Sequence, residues 1–152
     1  MDELFDGLNA QQLNAVIATE GNVRIIAGAG SGKTKTLTHR FGYLVLAAGI
    51  QPGNILCVTF TNKAAREMKK RVRKLIGDGC DSSLITTYHG FCVRVLRDDI
   101  YRLRYPKTFS ILNETEQRRI LAEIYGELDL KMDKATFENV MNAVHRLKSD
   151  EK

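Results

Sequence analysis

The fold is decided by Val23-Arg24-Ile25-Ile26-Ala27-Gly28-Ala29-Gly30-Ser31-Gly32-Lys33-Thr34. An apolar, β-branched run leads into glycines, a lysine and a threonine, and a helix-like segment at 35–48 follows. Glycines keep Cβ atoms away from the backbone, so successive N–H groups can turn towards a polyphosphate at the positive end of the next helix. We therefore predict a strand, a phosphate-binding loop and a helix in succession.

The loop matches the pattern G-x-x-x-x-G-K-[ST] except at Ala27, where the pattern has glycine. Lys33 would reach the outer phosphates, and the Thr34 hydroxyl would bind the Mg²⁺ that accompanies a nucleoside triphosphate. Alanine is tolerated at position 27 if its φ is negative. A glycine-rich turn that binds nothing is the alternative. The predicted cofactor-binding residues of the loop are Ala27, Gly28, Ala29, Gly30, Ser31, Gly32, Lys33 and Thr34.

The composition is that of a soluble globular domain. The chain has 152 residues, 43% of them hydrophobic and 27% charged, and no apolar run approaches the ~20 residues of a membrane span. The acidic start, Met1-Asp2-Glu3-Leu4, differs from a secretory signal, so we expect the cytoplasm and no membrane partner. Cys57, Cys80 and Cys92 follow no zinc-binding spacing and are predicted to be buried, unreactive thiols.

Positive charge is concentrated in one segment. The net charge is +5, and residues 63–74 alone contain seven cationic side chains and one acidic one. Apolar residues at helical spacing in the same segment predict an amphipathic helix with a basic outer face.

The order of predicted elements is β-α-β-α-β, followed by helices. Alternation of strands and helices predicts a parallel, doubly wound sheet with right-handed crossovers and the nucleotide at the carboxyl ends of the strands. We place a first, α/β domain at 1–106 and the beginning of a helical subdomain at 107–152. The strands are predicted at 23–27, 55–60 and 84–87, and the helices at 10–18, 35–48, 63–76, 90–104 and, after caps at Asn113 and Asp133, in the last part of the chain.

Two polar and aromatic runs follow the second and third predicted strands. Thr59–Met68 and Thr86–Phe91 combine rings that can stack on bases with hydroxyl and amide groups that can bind phosphates. Taken alone, the first run is more simply explained by Phe60 in the core and Asn62 as a helix cap. His89 alone is more simply a buried or capping histidine.

Together these runs resemble UvrD/PcrA/Rep-type superfamily 1A DNA helicases. The resemblance rests on Leu8–Gln12, the phosphate-binding loop, Thr59–Met68, Thr86–His89 and Phe109–Asn113, in that order along the chain. It implies a partial RecA-like parallel sheet with helices on both faces, belonging to a P-loop NTPase. Tyr88 replaces the phenylalanine that usually precedes His89 in this family, and it keeps an aromatic face.

The resemblance also implies roles for individual residues. Gln12 would contact the adenine of ATP, although Gln12 is equally placed to form a capping box with Asn9. Gly30, Gly32, Lys33 and Thr34 would bind the triphosphate and Mg²⁺. The residues implied in single-stranded DNA binding are Phe60, Thr61, Asn62, Lys63, Thr87, Tyr88 and His89.

Hydrolysis requires an acidic pair at the end of an apolar strand, and no such strand is visible in the sequence. We therefore expect an N-terminal piece of a longer ATP-dependent 3′–5′ helicase or translocase of DNA repair or replication, with a second motor domain elsewhere. The piece alone would bind nucleotide weakly and hydrolyse it negligibly. A parallel sheet of three strands leaves an apolar edge, which predicts self-association or marginal stability.

Three other interpretations stay open. The chain could be a natural, non-catalytic nucleotide- or DNA-binding module, or part of the helicase subunit of a helicase-nuclease. It could also be a small-molecule kinase, which would not bind single-stranded DNA.

Overall fold

The computed structural model describes residues 4–80, 84–131 and 133–150, and it divides into two compact units, Met1–Lys107 and Thr108–Lys152. No helix within the described residues is long and apolar enough to cross a membrane. The elements of the first unit are α1 (Ala10–Ile17), α2 (Lys33–Leu46), β1 (Leu56–Thr59), α3 (Asn62–Ile76), β2 (Leu84–Thr87) and α4 (Tyr88–Asp99), and those of the second are α5 (Glu114–Glu127) and α6 (Lys134–Asp150).

The two strands form a parallel pair. Leu56 is opposite Leu84 and Thr59 is opposite Thr87, with α3 as the crossover between them. The parallel pairing of these two segments was predicted and is confirmed. The prediction of a strand at 23–27 is wrong, because no backbone hydrogen-bond ladder joins that segment to β1 or β2. A β-branched run favours a strand, but a strand also needs a paired neighbour, and Ile26 is 89% exposed.

The core of the first unit lies between α2, α3 and the sheet. Phe41, Met68, Val72 and Cys80 are buried together, and Cys57 packs against them. Burial raises the pKa of the Cys57 thiol, which keeps it protonated and unreactive at neutral pH. A Cβ atom at Gly42 would lie 2.6 Å from Leu75 Cδ2, so this glycine allows the close approach of α2 to α3.

The buried face of α2 differs from the prediction. Spacing predicts a stripe that includes Leu37, Phe41 and Leu44, but Leu37 is 45% exposed whereas Thr36 and Thr38 are buried. The Thr36 hydroxyl donates to the Gly32 carbonyl at 3.2 Å and the Thr38 hydroxyl to the Thr34 carbonyl at 2.8 Å. Because both hydroxyls have acceptors on their own helix, they can be buried at little cost.

Helix α4 begins earlier and ends earlier than predicted. It runs from Tyr88 to Asp99, and a 3₁₀ turn, Ile100–Leu103, follows. Arg104 has a φ of 63° and terminates this turn in the left-handed region. Leu96 and Leu103, which the helical spacing places inside, are exposed.

The second unit consists of two capped helices. The Asn113 side chain and Glu116 form a capping box at the start of α5. The Asp133 carboxylate accepts a hydrogen bond of 2.7 Å from the Thr136 N–H at the start of α6. Both predicted caps are confirmed. The Arg118 guanidinium lies 3.8 Å from the ring centroid of the buried Phe137, which links the two helices.

Candidate nucleotide and nucleic-acid site

The loop before α2 depends on two glycines in the left-handed region. Gly30 has a φ of 75° and Gly32 a φ of 82°, and a Cβ atom at Gly32 would lie 2.7 Å from Gln12 Nε2. Among the described residues, the only non-glycine residues with positive φ are Arg104 and Asp129. Ala27 therefore has a negative φ, and alanine is accommodated there without strain.

Helix α2 begins without a side-chain cap. Its N-cap residue is Gly32, and no side chain accepts a hydrogen bond from the first turn. The other helices of the first unit begin at capping side chains: Asn9 for α1, Thr61 for α3 and Thr87 for α4. The first N–H groups of α2 therefore have no side-chain acceptor, and they lie at the positive end of a helix of 14 residues, where an anion can bind.

Lys33 points back across the loop. Its Nζ donates to the Gly28 carbonyl at 2.6 Å and to the Ala27 carbonyl at 3.2 Å. The Ser31 hydroxyl donates to the same Gly28 carbonyl at 2.7 Å. These bonds hold the ammonium group at the wall of a cavity of about 380 Å³, which the loop shares with α1.

Gln12 connects α1 to the loop. Its Oε1 accepts from the Asn9 N–H at 3.1 Å, and the Asn9 Oδ1 accepts from the Gln12 N–H at 2.8 Å, so the capping box is present. The Gln12 Nε2 donates to the Ser31 carbonyl at 3.0 Å. Arg40 of α2 donates to the Ala15 carbonyl at 2.7 Å, near the other end of α1. Both ends of α1 are therefore fixed relative to the loop and α2.

A second cavity, of about 280 Å³, also lies against the loop. It is lined by Gly30, Gly32, Lys33, Thr34, Lys35 and Arg71. Lys35 and Arg71 were not among the predicted site residues. Lys35 directly follows the motif, so its position was available from the sequence. Arg71 comes from α3, and no local pattern indicates that it lies beside the loop.

The carboxyl ends of β1 and β2 lie side by side, because Thr59 and Thr87 are paired. A helix starts immediately after each strand. The Thr61 hydroxyl accepts from the Ala64 N–H and the Thr87 hydroxyl from the Gly90 N–H, both at 3.1 Å. A Cβ atom at Gly90 would lie 2.5 Å from Thr86 Oγ1, which accounts for glycine in the first turn of α4.

Exposed rings project from this edge. Phe60 is fully exposed, Tyr88 is 66% exposed, and the rings of Tyr88 and His89 meet edge to face with centroids 6.5 Å apart. Three simpler interpretations from the sequence are wrong: Phe60 is not in the core, the cap of α3 is Thr61 rather than Asn62, and His89 is neither buried nor the cap of α4, which is Thr87. Asn62 and Lys63 are exposed in the first turn of α3.

The adjacent acidic residues Asp98 and Asp99 belong to a helix rather than to the end of a strand. Asp98 and Asp99 occupy the last turn of α4, where Asp99 forms an ion pair of 3.0 Å with Arg102. No group of three or more His, Cys, Asp or Glu side chains among the described residues could hold a metal ion.

The family model for the UvrD/REP helicase N-terminal domain matches residues 8–152. The chain belongs to this family. It is 43% identical over 149 residues to the ATP-dependent DNA helicase PcrA of Bacillus subtilis (strain 168). The aligned residues make up 98% of the chain and 20% of that relative. The PcrA protein of Staphylococcus aureus (strain Mu50 / ATCC 700699) is 41% identical over 150 residues, 99% of the chain and 20% of the relative. The chain thus spans about a fifth of the length of the curated relatives it matches.

Proposed function

We propose that this chain is the ATP-binding part of a 3′–5′ single-stranded-DNA translocase or helicase that acts in DNA repair or replication. The observation that carries the proposal is the uncapped start of α2 behind two glycines of positive φ. Loop N–H groups and the helix dipole together favour a polyphosphate at this position. The family membership and the PcrA relatives support ATP as the nucleotide and DNA as the partner.

The residues present fit a nucleotide with Mg²⁺. Gly30, Gly32 and Lys33 would hold the triphosphate, the Thr34 hydroxyl would supply a ligand to Mg²⁺, and Gln12 would contact the base. The cavity of about 380 Å³ that Gln12 and Lys33 both line is large enough for part of a nucleotide. When bound, Mg²⁺ neutralises phosphate charge. The protein's own contribution is to orient the phosphates by backbone N–H groups.

The proposed edge for single-stranded DNA consists of Phe60, Thr61, Asn62, Lys63, Thr87, Tyr88 and His89. Exposed rings can stack on bases, and Lys63 can bind a phosphate. Thr61 and Thr87 act on this edge indirectly, since both hydroxyls cap helices.

Exposed apolar surface supports a role within a larger protein. Val23, Ile25 and Ile26 are exposed beside the loop, as are Leu56 and Val58 on one face of β1. Further strands of the parent, completing a RecA-like sheet, would cover this surface. We propose that the chain taken alone self-associates through it.

Nucleotide binding is the direct test. We expect a fluorescent ATP analogue with Mg²⁺ to bind the chain, and Lys33→Ala to raise the dissociation constant about 100-fold, which is about 2.7 kcal/mol. Lys131→Ala, an exposed lysine of the second unit, is the matched control and should leave affinity unchanged. Equal affinity in the two variants would contradict the site. ATP turnover well above background that Lys33→Ala abolishes would contradict the expected lack of hydrolysis by this chain.

A further inference from the structure

The outer face of α3 carries a row of cations beyond the proposed DNA edge. The four side chains share one side of the helix, because Lys69 and Lys70 each lie three or four residues from both Arg66 and Arg73. Together they line a shallow surface groove of about 250 Å³. We call these four side chains the basic row.

Two members of the basic row, Arg66 and Lys70, are the cations on which the charge argument rests. Glu67, the one acidic residue within α3, forms its ion pair with Arg71, which faces the phosphate-binding loop. Arg73 pairs with Asp78 at 2.7 Å, but both side chains are more than half exposed. Among the described residues, no acidic side chain forms an ion pair with Arg66 or Lys70, and both are exposed. Surface ion pairs of this kind exchange readily for other anions.

The row has dimensions that suit a phosphodiester backbone. A helix rises about 1.5 Å per residue, so Arg66 and Arg73 are separated by about 10 Å along the axis. One strand of a DNA duplex places a phosphate about every 3.4 Å along its axis. The four cations are thus spread over a length that can contact more than one phosphate of a strand. Lysine and arginine stems also cover the apolar floor of such a groove while their charged ends reach the ligand.

We infer that the basic row binds the phosphodiester backbone of DNA and extends the proposed DNA edge along the length of α3. The row begins one turn after Lys63, and Phe60 directly precedes the N-cap of the same helix, so a single strand whose bases stack on the exposed rings can lay its backbone on α3. The positive charge of the basic row would by itself suit any polyanion. The neighbouring exposed rings favour a nucleic acid, because stacking faces beside a cationic track are characteristic of strand binding.

This inference rests on the proposed function, and a double substitution tests it. Arg66→Gln with Lys70→Gln removes two exposed cations of the row. Lys131→Gln with Arg146→Gln removes the same charge from exposed positions of the second unit and is the matched control. Arg66→Lys with Lys70→Arg keeps the charge. Fluorescence anisotropy with a labelled 20-nucleotide strand and with a 20-base-pair duplex, measured over a range of salt concentrations, gives the slope of log affinity against log salt.

The row variant should reduce the magnitude of this slope by about 1.4 for the single strand or about 1.8 for the duplex, as expected for two lost phosphate contacts. The variant Arg66→Lys with Lys70→Arg keeps both charges and should show the slope of the unaltered chain. The nucleic acid whose slope falls identifies the form that the row binds. Equal slopes for the row variant and the control would overturn the inference.

Phe60→Ala with Lys63→Ala separates the two proposals. If this variant loses DNA binding and the row variant does not, DNA binding by the basic row is refuted and DNA binding by the proposed edge is retained. If the unaltered chain binds neither nucleic acid, both the row and the DNA part of the proposed function are wrong.

Discussion

The starts of α2 and of α3 show two ways of beginning a helix after a loop. At α3, the Thr61 hydroxyl accepts from the Ala64 N–H, and α4 repeats this arrangement with Thr87 and Gly90. At α2, Gly32 provides no side chain, and its φ of 82° is available only to glycine without strain. A capped start increases stability, whereas an uncapped start gives up that contribution and leaves N–H groups for a ligand. The contrast agrees with the proposal that the open start of α2 binds nucleotide, while the caps of α3 and α4 contribute stability.

Gly32→Ala should have the largest effect, because it changes the uncapped start. The left-handed φ costs an alanine about 1–2 kcal/mol, and the added Cβ displaces the Gln12 amide. We expect nucleotide affinity to fall about 100-fold, or about 2.7 kcal/mol, measured by titration with a fluorescent ATP analogue.

Gly49→Ala is the matched control for that change. Gly49 also has a positive φ, of 69°, but no atom lies within 4 Å of a Cβ placed there. It should lose similar stability and keep its nucleotide affinity. If Gly32→Ala binds nucleotide as tightly as the unaltered chain, the start of α2 is not the phosphate site.

Thr87→Ala tests the capped starts. Removing the hydroxyl leaves the Gly90 N–H without its acceptor in a partly buried position, so urea denaturation should show a loss of about 1–2 kcal/mol. Nucleotide affinity should not change. Thr87→Ser keeps the hydroxyl and should retain most of the stability. Full stability of Thr87→Ala would remove the contrast between the two kinds of helix start.

Asn9→Ala should have the smallest effect and tests whether a cap and the site are independent. The loss of stability should be about 0.5–1 kcal/mol. Gln12 Oε1 bonds to the backbone of residue 9, so Gln12 keeps its position and nucleotide affinity should change by no more than about twofold, or about 0.4 kcal/mol. Asn113→Ala, at the other capping box, is the control in the second unit. A tenfold loss of affinity in Asn9→Ala alone would show that the cap belongs to the site.

Local chemistry explains what could be predicted from the sequence. The caps at Asn9, Asn113 and Asp133 depend on side chains that reach N–H groups only three residues away. The strand at Leu84–Thr87 and its parallel neighbour could also be predicted from local sequence, because each is a short apolar run bounded by turns or helices. The candidate phosphate loop is likewise contiguous in sequence.

Long-range and compensating contacts explain what could not be predicted. Residues 23–27 contain the expected apolar run, but strand formation depends on a partner elsewhere in the chain. The burial of Thr36 and Thr38 follows from hydroxyl bonds to their own helix, which hydrophobic spacing does not detect. Arg71 lies beside the loop only because α3 packs on α2. The exposure of Phe60 depends on where β1 ends, at Thr59.

The position of Lys33 has a consequence for conformational entropy. A lysine ammonium has three hydrogens to donate, and two of them go to the carbonyls of Ala27 and Gly28. Immobilising a free lysine side chain costs up to about 2 kcal/mol in rotamer freedom. In this chain, folding has already restricted that freedom before any anion arrives. Capture of a phosphate by the third hydrogen would therefore cost less side-chain entropy than capture by a lysine without these two bonds.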